Sequence, residues 1–205
     1  MRCLVGLLLL GSLAACASTS PTLSRVERER LPLDGRQEIF DAENDVIIAR
    51  NRADMAEERL RAVEESLDQL GDRLDRSEKR LSGNAANAGG IPLLRQVTRA
   101  ERDYLEARRD VAEAEVAVAV QETRIARVRL NQVKQRQLAR IGKVPITSLE
   151  DYEKALQAEE ERGRQTRSSS LDLRTKAQSL LDAWKAAQAD YARRTNDYDS
   201  GVWLE

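Results

Sequence analysis

From Ile39 onward, apolar residues return at alternating steps of three and four. Ile39, Ala42, Val46, Ala49, Ala53, Ala56, Leu60, Val63, Leu67, Leu70, Leu74, Ser77 and Leu81 form this series, and only Ser77 departs from the apolar rule. A seam of this period, held over about six heptads, specifies an α-helix that packs lengthwise on another helix. The positions between are filled by Arg, Glu and Asp, as the wet face of such a helix requires. Alanine dominates the first half of the seam and leucine the second. Neighbouring helices should therefore lie closer near Ala49 to Ala56 than near Leu67 to Leu74.

Two further segments carry the same signal. Residues 92–141 open with Pro92, suited to a first helical turn, and continue through Leu93, Val97, Ala100, Tyr104, Ala107, Val111, Ala114, Val118, Ile125 and Val128, with Gln121 and Gln132 as polar interruptions. The stretch 111–120 alternates as a strand could, but strong helix formers flank it. Its apolar residues cover more than one face, which predicts a middle helix with two neighbours. Residues 149–198 repeat the seam as Leu149, Tyr152, Leu156, Glu159, Gly163, Thr166, Ser170, Leu173, Ala177, Leu180, Trp184, Ala187 and Tyr191. The part from Glu159 to Ser170 is weak and predicts an exposed stretch or a kink. Trp184 and Tyr191 read as core anchors.

The reversals are short. Residues 82–90 contain Gly83, Gly89 and Gly90, and Gly83 is placed for a left-handed helix cap. No Gly-Lys-Ser/Thr follows and no strand precedes, so a phosphate loop is not supported. Residues 142–148 form the second reversal, with Thr147 or Ser148 as the cap of the next helix. Short reversals make neighbours antiparallel. The fold expected is all-α, an elongated antiparallel three-helix coiled-coil bundle. Helices at 37–82, 92–141 and 149–198 would be about 65 to 75 Å long. The alternative is a long hairpin of the last two helices with the first swung out to pair with another chain. Residues 199–205 form a tail containing Trp203 and Leu204.

Composition narrows the chemistry. Charged residues make up 34% of the chain and aromatics 3%, which suits long helices better than a compact globule. The 34 basic and 35 acidic residues are interspersed, so no polybasic surface for nucleic acid emerges. There is no histidine, and the only cysteines are Cys3 and Cys16. A Ser-His-Asp or Cys-His set is thereby excluded. Adjacent carboxylates such as Glu57-Glu58, Glu64-Glu65 and Glu159-Glu160-Glu161 point about 100° apart on a helix and read as solvated faces. No catalytic, cofactor-binding or metal-ligating residue is expected, and no small-molecule substrate. The chain reads as a non-enzyme.

The N-terminus carries the one residue with a specific chemical expectation. Met1-Arg2 is a positive start, Leu4 to Leu10 is an apolar run too short to span a bilayer, and small residues follow. Leu13-Ala14-Ala15-Cys16 resembles the lipobox of bacterial lipoproteins. The resemblance implies cleavage between Ala15 and Cys16, diacylglyceryl transfer to the Cys16 sulfur, and further acylation of the new amino terminus. Residues 1–15 would be the signal peptide and 16–36 a tether, part of which can form a short helix near Leu23 to Leu31. Two or three acyl chains anchor a protein stably in a bilayer. Ala17, rather than an aspartate, leans toward the outer membrane, facing the periplasm.

A second resemblance is local. Around 136–156 the chain is similar to the helical hairpin tip of periplasmic efflux adaptor proteins, with Arg136, Ile141 and Ser148 nearest to that family's Arg, Leu and Ser. The spacing from the arginine differs by one, and Ile stands for Leu. The function expected is a membrane-anchored structural or protein-interaction module of the bacterial envelope. Its partner would be another envelope protein or a second copy. The alternative is an accessory part of an export or efflux apparatus that engages through the 142–148 tip.

Overall fold

The computed structural model describes residues 21–83, 90–145 and 149–196. Four helices follow in order: α1 (Arg25–Arg30), α2 (Leu33–Ser82), α3 (Ile91–Arg140) and α4 (Leu149–Thr195). No strand occurs among the described residues, and 111–120 is helical. The three long helices are antiparallel in sequence, and α2 and α4 each pack along the whole of α3. The bundle is therefore built on α3 as the middle helix. Every seam position of α2 from Ile39 to Leu81 is buried or half-buried.

Side-chain size grades along the rod. At seven-residue spacing α2 buries Gly35, Ala42, Ala49, Ala56, Val63 and Leu70, while α4 buries Gly163, Ser170, Ala177, Trp184 and Tyr191. Both series run from small to large in the same direction, because α2 and α4 are parallel. At the large end one cluster joins all three helices: Leu81 from α2, Leu94, Val97 and Tyr104 from α3, and Trp184 and Tyr191 from α4. Tyr104 and Trp184 stack with ring centroids 5.3 Å apart. Toward the small end a second, smaller cluster holds Val46, Ala49 and Ala126, with Leu130 against them. Small side chains let α2 and α4 each approach α3 but cannot fill the space between α2 and α4.

The weak part of the third seam is continuous helix. A Cβ on Gly163 would lie 3.0 Å from Ile125 Cδ1, so the glycine marks close approach of α4 to α3 rather than a break. Ser170 is buried and turns its hydroxyl back onto the Arg167 carbonyl at 2.8 Å. Gln121, which interrupts the α3 seam, donates to the Glu159 carbonyl at 3.0 Å and to its carboxylate at 2.6 Å. The polar residue thus ties α3 to α4.

The helix ends correct several expectations. The short helix allowed within the tether near Leu23 to Leu31 is present, and Ser24 and Glu27 form the reciprocal N-terminal box that starts α1. Helix α2 begins at Leu33, four residues before the boundary read from its seam. Gly35, which that boundary leaves in the tether, sits in its first turn, where the missing Cβ admits Gln137 of α3. Gly83 is right-handed (φ −68°) and not left-handed, and its N–H still reaches the Lys79 carbonyl at 3.2 Å. The left-handed cap falls at Gly142 instead (φ 71°), where Gly142 N–H donates to Ala139 and Lys143 N–H to Leu138. Helix α4 stops at Thr195 because Asn196 turns left-handed (φ 51°). The tail residues Trp203 and Leu204 lie outside the described residues.

Candidate functional site

Where the core is thin, a groove opens between α2 and α4 with α3 as its floor. Two adjoining cavities of about 470 and 530 Å³ make it up. Ala49, Ala56, Ala119, Ile125 and Ala126 lie along the floor and inner walls, and Ile48, Met55 and Leu171 stand about half exposed at the rims. Exposed aliphatic side chains of this size on otherwise charged helices are the groove's apolar content.

Charged residues cross the groove in rungs at seven-residue spacing, one residue from each helix. In one rung Glu115 of α3 lies between Arg59 of α2 at 3.7 Å and Arg174 of α4 at 2.9 Å. In the next, Glu122 meets Arg52 at 3.7 Å, and Arg167 of α4 lines the same cavity. Each of these rungs sets two arginines about one glutamate. One heptad further the polarity inverts. Arg129 of α3 meets Glu160 of α4 at 3.1 Å, and Asp45 of α2 lines the opposite wall. The same positions one heptad beyond are Glu38, Arg136 and Glu153. The two cavities thus carry two net-positive rungs followed by a net-negative one, and the heptad positions beyond them continue the negative sign.

The remaining ion pairs pin the register. Arg140 meets Asp34 at 3.0 Å and holds that carboxyl below its usual range. Arg95 does the same to Glu78 at 2.6 Å. Arg73 reaches Glu101 at 2.7 Å, and here burial dominates and raises the Glu101 carboxyl above its ordinary value, against the pull of Arg73.

Of the residues singled out from sequence, Ala15, Cys16 and Ser148 lie outside the described residues. Arg136 is exposed on the α3 face that floors the groove, and Ile141 is the half-buried cap of α3. Lys143, next to that cap, meets Glu27 of α1 at 3.7 Å. Arg28 of α1 pairs with Glu43 of α2 at 2.5 Å, and Lys134 of α3 approaches the same carboxylate at 3.7 Å. The α3–α4 reversal therefore shares an end of the rod with α1.

Sequence reading missed the groove. Its rungs are separate surface charges until α2 and α4 are placed in register, although heptad spacing within each helix was a visible signal. Among the described residues no cluster of three or more His, Cys, Asp or Glu is placed to hold a metal, and no helix is long and apolar enough to cross a membrane. No family model, curated protein or solved structure matches the chain.

Proposed function

We propose that the protein is a lipid-anchored, non-enzymatic interaction module of the bacterial envelope, held at the outer membrane and facing the periplasm. The observation that carries this reading is Leu13-Ala14-Ala15-Cys16 after a positive start and a short apolar run. Acyl chains on Cys16 supply the membrane affinity that the helices do not. The rod then serves as a surface, and the open groove between α2 and α4 is its most distinctive part.

The anchor also orients the rod. Ser24 lies eight steps along the chain from Cys16, a reach of at most about 28 Å. The end bearing α1 and the 142–148 reversal then stands nearest the bilayer. A role for that reversal as a distal docking tip of an efflux assembly is the less favoured reading, because Lys143–Glu27 sets it beside the anchored end.

The test is chemical. Cells expressing the chain are fed labelled palmitate, and the mature N-terminus is analysed by mass spectrometry. Label on the wild-type protein, its loss in Cys16→Ala, and a mature chain starting at an acylated Cys16 are expected. An unmodified Cys16 in the mature protein overturns the reading.

A further inference from the structure

The order of charges in the rungs is self-complementary, and Arg164, the other cation lining these cavities, is held by Glu161 of its own helix. Two net-positive rungs, centred on Glu115 and Glu122, are followed by a net-negative one centred on Arg129, and the positions one heptad beyond, Glu38, Arg136 and Glu153, carry the same net sign in the sequence. Turn a second copy end for end about a two-fold axis passing between the Glu122 and Arg129 rungs. Each positive rung then faces a negative one. The Arg52/Arg167 rung meets Asp45/Glu160, and the Arg59/Arg174 rung meets Glu38/Glu153. In a parallel arrangement like rungs would face each other.

The apolar residues fit the same axis. Ile48 is 49% exposed and lies between the two inner rungs, so the axis brings it against its own copy. The α3–α4 close approach at Gly163 and Ile125 falls at the same level and lowers the floor beneath it. We infer that the groove is an isologous interface, occupied by the same face of a second copy in antiparallel orientation. The inference rests on the interaction-module reading and names its partner. It does not depend on acylation of Cys16.

Size sets the affinity class. The four rungs span about 32 Å of helix. With about 18 Å across the flanking helices, each copy covers about 600 Å². That is the low end for a specific complex and corresponds to a reversible dimer. Exposed rungs are screened by salt, so the dimer weakens as ionic strength rises.

The experiment is sedimentation equilibrium on the full chain in density-matched detergent at up to about 100 μM, for a dimer of this small interface. Arg52→Glu makes its rung net negative and Asp45→Arg makes its rung net positive; the axis sets positions 52 and 45 of α2 opposite each other, so each variant alone sets like charges face to face and the double variant restores an opposite pair. Each should weaken the dimer about tenfold or more, and the double variant should return to within about threefold of wild type. Circular dichroism verifies that helicity is unchanged. Independently, Ile48→Cys in the otherwise native chain should form a disulfide-linked dimer on mild oxidation, beyond any formed by wild type. Palmitate labelling stays the same in all variants, so failure here is distinguishable from failure of the anchor.

A wild-type chain that stays monomeric overturns the proposal, and so does a dimer indifferent to both single reversals. Failure of the double variant to recover also overturns it. So does an Ile48→Cys chain that cross-links no more than wild type. An acidic helix from another protein as the true occupant would appear as the first of these outcomes.

Discussion

Gln137 of α3 occupies the space that a side chain at Gly35 of α2 would need. A Cβ at position 35 would fall against Gln137 Oε1 and 3.0 Å from its Cδ. Gln137 is completely buried, donates to Glu38 at 2.8 Å and accepts from Arg140 at 3.3 Å. Gly35→Ala should therefore displace a side chain whose partners are both charged, costing about 1–3 kcal/mol against a gain of under about 1 kcal/mol from helix propensity. Gly71→Ala meets nothing within 4 Å and should stabilise by about 0.5–1 kcal/mol. Urea unfolding of the two variants measures both signs. Equal effects at the two sites would contradict the packing argument at Gly35.

The two reversals predict a second contrast. Gly142 is left-handed and closes α3 with bonds to Ala139 and Leu138. Gly142→Ala should cost about 1 kcal/mol or more, because a Cβ is strained there. Gly83 is right-handed with open surroundings, so Gly83→Ala should be neutral or slightly stabilising. Thermal melts of the two single variants decide between this assignment and the left-handed Gly83 that its position in the sequence suggests.

Much of the rod is legible from period alone. The α2 seam from Ile39 to Leu81 faces inward throughout, and so does the α4 seam from Glu159 to Tyr191, including the part that looked weak. A heptad pattern depends only on local helix geometry, which is why it transfers. The second buried face of α3 is different. Thr98, Glu101, Thr123, Gln135 and Gln137 are buried polar residues outside the apolar seam, and hydropathy assigns such residues to the surface. Their burial follows from α3 having two partners. The groove is less legible still, since it depends on what α2 and α4 leave unfilled between them. The anchor needs no fold to be read, and Cys16 lies outside the described residues.

The aromatic end should carry most of the stability. Trp184 is buried against Tyr104 in the cluster that joins all three long helices. Trp184→Ala should cost about 3–5 kcal/mol. Met55→Ala, at the half-exposed rim of the groove, should change monomer stability by less than about 0.5 kcal/mol. Guanidinium titrations at a protein concentration well below that needed for association separate the two. A Trp184→Ala loss no larger than that of Met55→Ala would show that the rod is not held mainly at this end.

The Arg73–Glu101 pair predicts a pH dependence of unusual sign for a carboxylate in an ion pair. Burial raises the folded-state Glu101 carboxyl above its ordinary 4.5, and Arg73 offsets this only in part. The folded chain therefore holds a proton on Glu101 more tightly than the unfolded chain does. Stability from this site is present below 4.5 and declines as pH rises through the folded-state value. Glu101→Gln removes that decline, so its stability relative to wild type should increase as pH rises from below 4.5 through the folded-state value. Arg73→Ala acts in the opposite direction. It leaves a buried carboxylate without its cation, raises the Glu101 value further, and should cost about 1–3 kcal/mol at neutral pH. Below the ordinary 4.5, where protonation removes the uncompensated charge, the cost should shrink. Urea midpoints for the three proteins across this range provide the test, because the exposed carboxylates that titrate nearby, Asp34 and Glu78 among them, are common to all three and cancel in the differences. Parallel curves for wild type and Glu101→Gln would mean that Arg73 cancels the effect of burial, and a Glu101→Gln chain that loses stability relative to wild type as pH rises would mean that Arg73 outweighs it.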